Sequence, residues 1–282
     1  MEDFRMKRKI VMILVSLAMA SVFAGGASEK NVAVKNYTFG GSSTVAPIIA
    51  SAIPAFEQGN PSSKISYETL GSSVGIKQLQ AGTLSLAGSS RELKDAEIAG
   101  GLVPTTIALD GLSVAVNKEV GISNLSLEQL SSIFSGEITN WKDVGGKDAK
   151  IELIIRDETS GTYSSFKEIV LDKFKKKQSP VAIVAKENGE LAAKIASTPN
   201  SIGYVGMAFN HIITASGGKI LSIDGVNPSA DNVKAGTYPI SRSLYMVTIG
   251  TLKSGVEKDF VDFLLSAKGQ AIVEETGFIA LK

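Results

Sequence analysis

In 282 residues, 29 Lys and Arg against 28 Asp and Glu leave no net field to draw the chain to nucleic acid or an acidic membrane. One histidine and no cysteine rule out disulfides, thiolate metal sites, a lipidated N-terminal cysteine and Cys/His nucleophile pairs. Aromatic residues make up 6%, too few to pave a carbohydrate groove with rings.

The chain opens with the basic run Arg5, Lys7, Arg8 and Lys9, an apolar stretch over 10–20, and then Ser21-Val22-Phe23-Ala24. A positive segment, a short apolar run and a V-x-A site predict a signal peptide over 1–24, with a signal anchor as the alternative. The apolar run falls short of the roughly 20 residues that a membrane span needs. Residues 25–35 read as a flexible lead-in. The expected product is an exported, soluble, periplasmic protein, and the missing cysteine argues against a lipoprotein.

Tyr37-Thr-Phe39 starts a strand running into Gly40-Gly-Ser-Ser-Thr44, and a helix follows over 45–56 with Pro47 in its first turn. Residues 64–70 alternate as a strand, end in Gly71-Ser-Ser-Val-Gly75 and lead to a helix over 76–81. A short strand over 84–87 precedes Gly88-Ser-Ser-Arg-Glu-Leu93. Strand, Gly/Ser turn and helix recur, which predicts an α/β fold with a parallel sheet whose turns converge at one edge. A long strand over 108–117 leaves this lobe. The helix 127–134, a turn-rich link to Trp141, the buried-type strand 151–155, the helices 163–174 and 189–195 and the strand 201–207 follow. A return strand over 238–249 and a closing helix over 256–266 complete the chain. Two crossings between lobes are thus expected, with lobe 1 formed by 36–115 plus 240–282 and lobe 2, 116–239, inserted. A cleft lies between them.

The strongest chemical signal is Arg156-x-x-x-Ser-Gly-Thr162 at a strand-to-helix turn. Gly161 lets the backbone approach closely, and Ser160 and Thr162 offer hydroxyls beside free N–H groups. Arg156 adds a planar fork of donors suited to oxyanion oxygens. The plainer alternative is a Ser/Thr helix cap, with Arg156 at the surface or paired to Glu158. The turns at Gly41-Ser-Ser-Thr44, Gly71-Ser-Ser73 and Gly88-Ser-Ser90 place more hydroxyls at strand ends. Together they argue for a small oxyanion held by neutral donors and one arginine. No segment has the spacing of a nucleotide-binding loop, and no G-x-S-x-G elbow is present. His211 lies beside Ile212-Ile213, and Asp110, Asp157 and Glu158 have no evident partner for acid/base work, so no catalytic residue, metal or cofactor is expected.

The chain resembles the phosphate-binding proteins of ABC transporters over nearly all of its mature length. The resemblance is carried by Gly41-Ser-Ser-Thr-Val-Ala-Pro47, Gly71-Ser-Ser-Val-Gly-Ile-Lys-Gln78, Ser89-Ser-Arg-Glu-Leu93 and Val116-Asn-Lys118. It continues in Ile133-Phe-Ser-Gly-Glu-Ile-Thr-Asn-Trp141, Arg156-Asp-Glu-Thr-Ser-Gly-Thr-Tyr163, Ile202-Gly-Tyr-Val-Gly206 and Pro239-Ile-Ser-Arg-Ser-Leu-Tyr245. It implies a two-lobed periplasmic-binding-protein fold with two interlobe crossings and a central cleft. Phosphate would be held there by Ser43, Thr44, the Val45 N–H and Ser72 from one lobe, and by Arg156, Ser160, the Gly161 N–H and Thr162 from the other. Glu158 takes the place of an acidic residue that steadies the arginine. Trp141 is expected to be a packing residue. The implied partners are inorganic phosphate and the membrane permease subunits of an ABC transporter, with the protein a monomer that binds no nucleic acid.

One position departs from the family pattern. Where well-known members carry an aspartate in the third turn, this chain has Ser90, followed by Arg91. An ionised carboxylate only accepts, and so favours a protonated phosphate over sulfate; a serine hydroxyl donates or accepts and enforces less. Arg91 either adds charge to the site or forms a salt bridge at the surface. Another tetrahedral oxyanion, sulfate or molybdate, is the alternative ligand, and phosphomonoester hydrolysis the alternative function.

Overall fold

The computed structural model describes residues 34–281, so the expected signal peptide and most of the lead-in lie outside it. The first half runs β1 (Lys35–Gly41), α1 (Ala46–Gly59), β2 (Ser63–Thr69), α2 (Ser72–Gln80), β3 (Leu86–Ser89), α3 (Asp95–Ala99) and β4 (Leu102–Val116). Then come β5 (Asn124–Leu125), α4 (Leu127–Ser135), β6 (Glu152–Arg156), α5 (Gly161–Phe166), β7 (Ile183–Ala185), α6 (Asn188–Ser197), β8 (Ser201–Gly206) and α7 (Asn210–Ala215). The chain ends with β9 (Lys219–Ile220), β10 (Ser222–Ile223), α8 (Ala230–Lys234), β11 (Ser241–Ile249), α9 (Val256–Leu265) and α10 (Ala267–Glu275). Among the described residues no helix is long and apolar enough to cross a membrane.

The fold is α/β and two-lobed, and one sheet runs through both lobes in the order β2-β1-β3-β11-β4-β8-β6-β7. On one side β1 pairs in parallel with β2 and β3; on the other, β6 pairs in parallel with β7 and β8. Between them β11 and β4 run antiparallel to their neighbours. β4 serves both halves: its residues 102–111 pair with β11 and its residues 112–116 with β8. The parallel strands need helical crossovers, and these cover both faces. In the first half Phe39, Ile48, Ile49, Phe56, Leu86, Met246, Phe260 and Leu264 bury one face under α1, α9 and α10. Ile76, Leu79, Leu93 and Val247 close the other. In the second half Leu112, Phe134, Trp141, Phe166 and Tyr204 form one core, and Ile154, Leu191, Ile195, Val205 and Ile213 the other. Trp141 is a buried member of that core and its Nε1–H donates to the Asn200 carbonyl at 2.9 Å.

Some boundaries differ from the sequence expectation. α2 starts at Ser72 rather than at 76, because Gly71, at φ 82°, takes the N-cap position. The helix expected over 163–174 is α5 followed by a π-helical stretch over Lys167–Leu171 and a 3-10 turn over Asp172–Phe174. The closing helix stops at Leu265, and Ser266 caps a further helix, α10, by accepting the Gly269 N–H at 3.2 Å.

Glycine brings the first three strand ends together. A Cβ at Gly75 in α2 would lie 2.4 Å from the Gly41 Cα, and one at Gly41, whose φ is 125°, would lie 2.4 Å from the Gly88 carbonyl oxygen. Backbone thus packs on backbone where the first and third turns leave the sheet. Helix propensity alone favours Gly75→Ala by about 1 kcal/mol. The close approach opposes it, and overpacking costs about 1–3 kcal/mol. Gly75→Ala is therefore expected to lower the urea midpoint despite the better helix former; a raised midpoint would mean that α2 has room to move away from β1.

Candidate functional site

Four turns meet at the strand ends where the lobes face each other. The first, Ser42–Val45, is tied down by the Tyr67 hydroxyl, which donates to the Ser42 carbonyl at 2.9 Å. Ser42 Oγ accepts the Thr44 N–H at 3.1 Å and donates to Ser90 Oγ at 2.9 Å, linking the first turn to the third. Ser72 Oγ accepts the Ser90 N–H at 3.1 Å and lies 3.4 Å from Ser90 Oγ, bringing in the second turn. The fourth turn closes from the opposite lobe. A Cβ on Gly161 would fall 2.2 Å from Ser72 Oγ and 2.5 Å from Ser90 Oγ, so a side chain there is excluded. The Ser73 N–H donates to the Thr159 carbonyl at 3.1 Å, and Thr44 Oγ1 and Thr162 Oγ1 share a hydrogen bond of 3.0 Å.

Arg156 ends β6 at 1% exposure. The strand is seated on an aromatic stack in which Phe166 and Tyr204 lie parallel, centroids 3.8 Å apart, with Phe134 on the Phe166 edge. The Arg156 N–H points at the Tyr204 hydroxyl, 3.4 Å away. Its guanidinium meets neutral acceptors only: the Ala185 carbonyl at 3.3 Å, Asn188 Oδ1 at 2.9 Å, the Lys186 carbonyl, and Ser43 Oγ of the other lobe at 3.1 Å. No carboxylate among the described residues forms an ion pair with it. Burial pushes the Arg156 pKa down, and the field of Arg242 adds to this, while Glu187 and Asp157 oppose it.

Ser43, Thr44, Val45, Ser72, Ser90, Arg156, Ser160, Gly161 and Thr162 are all buried in this one cluster. Ser160 also acts as the N-cap of α5, its Oγ accepting the Thr162 N–H at 3.1 Å. One expectation needs correction, and one open choice is decided. Glu158 is exposed and does not steady the arginine; the neutral side chain of Asn188, at the start of α6, takes that place. Asn188 also donates to Thr44 Oγ1 at 3.1 Å, so it binds the arginine and the opposite lobe together. Arg91 turns away from the site and forks onto Glu97 with both contacts at 2.8 Å. This is the salt bridge left open as its alternative role, although it is buried rather than at the surface.

Reading the sequence missed one arginine. Arg242 of β11 is buried against Asp110 of β4, with Nη2 2.7 Å and Nε 3.0 Å from the same carboxylate oxygen. The Pro239–Tyr245 motif contains it, but an arginine between two serines in an alternating strand reads as a surface residue. Asp110, 132 positions away, shows no partner until the strands are paired. His211 is exposed, its Nδ1 2.9 Å from the Ala208 carbonyl. Among the described residues no group of three or more His, Cys, Asp or Glu could hold a metal ion.

Comparison with known proteins agrees with this architecture. A model of the PBP superfamily domain matches residues 26–268. The phosphate-binding protein PstS of Borreliella burgdorferi is 38% identical over 279 residues, covering 97% of this chain and 99% of that protein. A substrate-binding protein from Clostridium perfringens, solved with bound phosphate, superposes with a TM-score of 0.81 at 30% identity, covering 88% of this chain and all of that one. An ABC-type phosphate transport receptor from Vibrio cholerae gives a TM-score of 0.73 at 29% identity over 86% of this chain and 99% of its own. The chain belongs to the PBP superfamily and, within it, to the family of PstS phosphate-binding proteins.

The Arg91–Glu97 pair carries a pH signature. Burial works to raise the Glu97 carboxyl, but hydrogen bonds from Arg91 and the Lys94 N–H outweigh it and hold the group below its ordinary value. A depressed carboxyl contributes stability that is complete above the unfolded-state value and disappears as pH falls through the folded one. Glu97→Gln is expected to cost about 1–3 kcal/mol near neutral pH. That gap to wild type should shrink in urea titrations repeated in acid. A gap independent of pH would show that Glu97 acts by packing alone.

Proposed function

We propose that this chain captures inorganic phosphate between its lobes and delivers it to the permease subunits of an ABC transporter for uptake. The observation that carries the reading is Arg156: a buried guanidinium aimed at the meeting point of four hydroxyl-bearing turns, with no ion-pair partner among the described residues. A buried charge of this kind is costly unless an opposite charge reaches it, and a small tetrahedral anion is what Ser, Thr and N–H donors would enclose. The similarity to PstS proteins and to a structure with phosphate bound supports the same ligand.

In this reading no bond of the ligand changes. Anion is received by Ser43, Thr44, the Val45 N–H, Ser72 and Ser90, and the turn bearing Arg156, Ser160, Gly161 and Thr162 closes over it. Burial then strengthens each hydrogen bond, and the transporter recognises the closed form. We place the lobe division at 36–115 with 240–282 against 116–239, with β4, which changes partner from β11 to β8 between Gly111 and Leu112, as one of the two crossings. We read the protein as exported to the periplasm, from the basic and apolar N-terminal segment.

Calorimetric titration of the anion-stripped protein with phosphate, in a large excess of sulfate, tests this. One-to-one binding undisturbed by sulfate is expected, and full competition by sulfate would widen the ligand to any tetrahedral oxyanion. Arg156→Ala is expected to weaken phosphate by about 2–5 kcal/mol. Thr162→Val should cost about 1 kcal/mol, and Glu158→Ala nothing measurable. An Arg156→Ala protein that binds as tightly as wild type would sink the assignment.

A further inference from the structure

We propose that Arg242 is a second cation of the anion site, held by Asp110 with part of its guanidinium facing the ligand, so that the charge of this buried pair sets the affinity for the anion. The proposal rests on the phosphate reading and adds to it a residue and its carboxylate anchor.

The backbone makes the pair. Arg242 and Asp110 are directly opposite in the antiparallel β11–β4 ladder, so their side chains share one face of the sheet. Both are buried, and Gly206 on β8 makes room for them: a Cβ there would lie 2.9 Å from Asp110 Oδ2 and 3.4 Å from Arg242 Nη2. Asp110 is fully engaged, since Oδ2 takes Nε and Nη2 of Arg242 while Oδ1 accepts the Met207 N–H at 3.1 Å. It has no oxygen directed at a ligand.

The arginine is engaged differently. An arginine serving only as a strut would spend its whole fork on the carboxylate. Here Nη1 reaches past Asp110 to Thr162 Oγ1 at 2.9 Å and to the Ser90 carbonyl at 3.1 Å, and Nη2 lies 3.4 Å from Thr44 Oγ1. These contacts fall on the first, third and fourth turns, and Thr44 and Thr162 are two of the hydroxyls assigned to the anion. Arg242 is therefore one hydrogen bond from the ligand position in both lobes. Charge points the same way. Of the two buried guanidiniums at the meeting point of the turns, Arg242 is paired with the buried carboxylate of Asp110 and Arg156 is in contact with neutral acceptors alone, Glu187 and Asp157 acting on it only through their fields. The two arginines are close enough that the field of Arg242 works against the charge on Arg156, and an anion between them relieves that repulsion.

Arg242→Gln and Asp110→Asn remove opposite charges from the same buried pair, so they separate a ligand role from a strut. Phosphate calorimetry is run on wild type and both variants, with urea unfolding to confirm that each folds. Arg242→Gln is expected to weaken phosphate at least about thirtyfold, whereas Asp110→Asn, which keeps an acceptor for the arginine and removes a negative charge, tightens it about threefold or more. Equal losses in both variants, or an Arg242→Gln protein binding like wild type, would overturn the proposal and leave the phosphate reading standing. If Arg242→Gln does not fold, Asp110→Asn decides alone: tighter binding supports the proposal and weaker binding overturns it. A wild-type protein that takes up no phosphate overturns both readings together.

Discussion

The antiparallel pairing of β4 with β11 is the constraint on which the rest of the molecule depends. β4 spans 15 residues and is shared: most of it belongs to the sheet of the first lobe, and its last residues to that of the second. In the proposed closure, motion between the lobes would be taken up where the strand changes partner, next to Gly111 and Leu112, since the parallel strands on either side are covered by helices. The register that joins the lobes also sets Arg242 opposite Asp110 one residue before that change. Chain crossing and ligand site are therefore adjacent by construction. A shift in the angle between lobes alters the distance from Arg242, carried by the crossing, to Thr162, carried by the second lobe.

Around this axis the fold places short polar side chains at strand ends and large apolar ones beneath them. The Phe134, Phe166 and Tyr204 stack supports the strand that presents Arg156, and Tyr67 secures the turn that presents Ser43 and Thr44. Serine and threonine suit a surface that must close on a small anion. Each is short, neutral and able to donate or accept, so the turns can bond to one another as well as to a ligand. The glycines at 41, 75 and 88 let the first-lobe turns draw this close, since a side chain at any of them meets a neighbour within 2.4 Å.

Much of this was legible in the sequence, for a definite reason. β1, β2, β3 and β6 each end in a Gly/Ser turn, and that punctuation marks the strand ends along the chain and the edge at which the turns gather. The nine anticipated site positions lie in one buried cluster because they sit in those turns. Failures came where neighbours in sequence are not neighbours in space. Glu158, two residues after Arg156, looked like its partner, yet the turn carries it outward while Asn188 arrives from a separate helix. Asp110 showed no partner in the sequence and Arg242 drew no reading of its own; the pairing of β11 with β4 brings them together. Arg91 adjoins the site in sequence, and of its two anticipated roles the structure shows the salt bridge, with Glu97 six residues on.

The difference between the two buried arginines explains how such a site can hold charge and still respond to a ligand. Carbonyls and an amide orient Arg156 without cancelling its charge, because a dipole acts over a shorter range than an ion. A carboxylate at ion-pair distance would orient it as well, but would already satisfy the charge that an incoming anion must satisfy. Arg242 takes the opposite course: Asp110 fixes it firmly, at the expense of part of its field. One arginine is left electrostatically open and the other anchored, so their sum stays positive while each has a defined direction. The protein thus carries the desolvation of Arg156 as an unfavourable term, offset within the fold by neutral hydrogen bonds. In the proposed reading an anion that supplies the missing opposite charge gains that term on binding, and the contacts of Arg156 with Ser43 and of Thr162 with Thr44 bring the two sets of turns close enough for it.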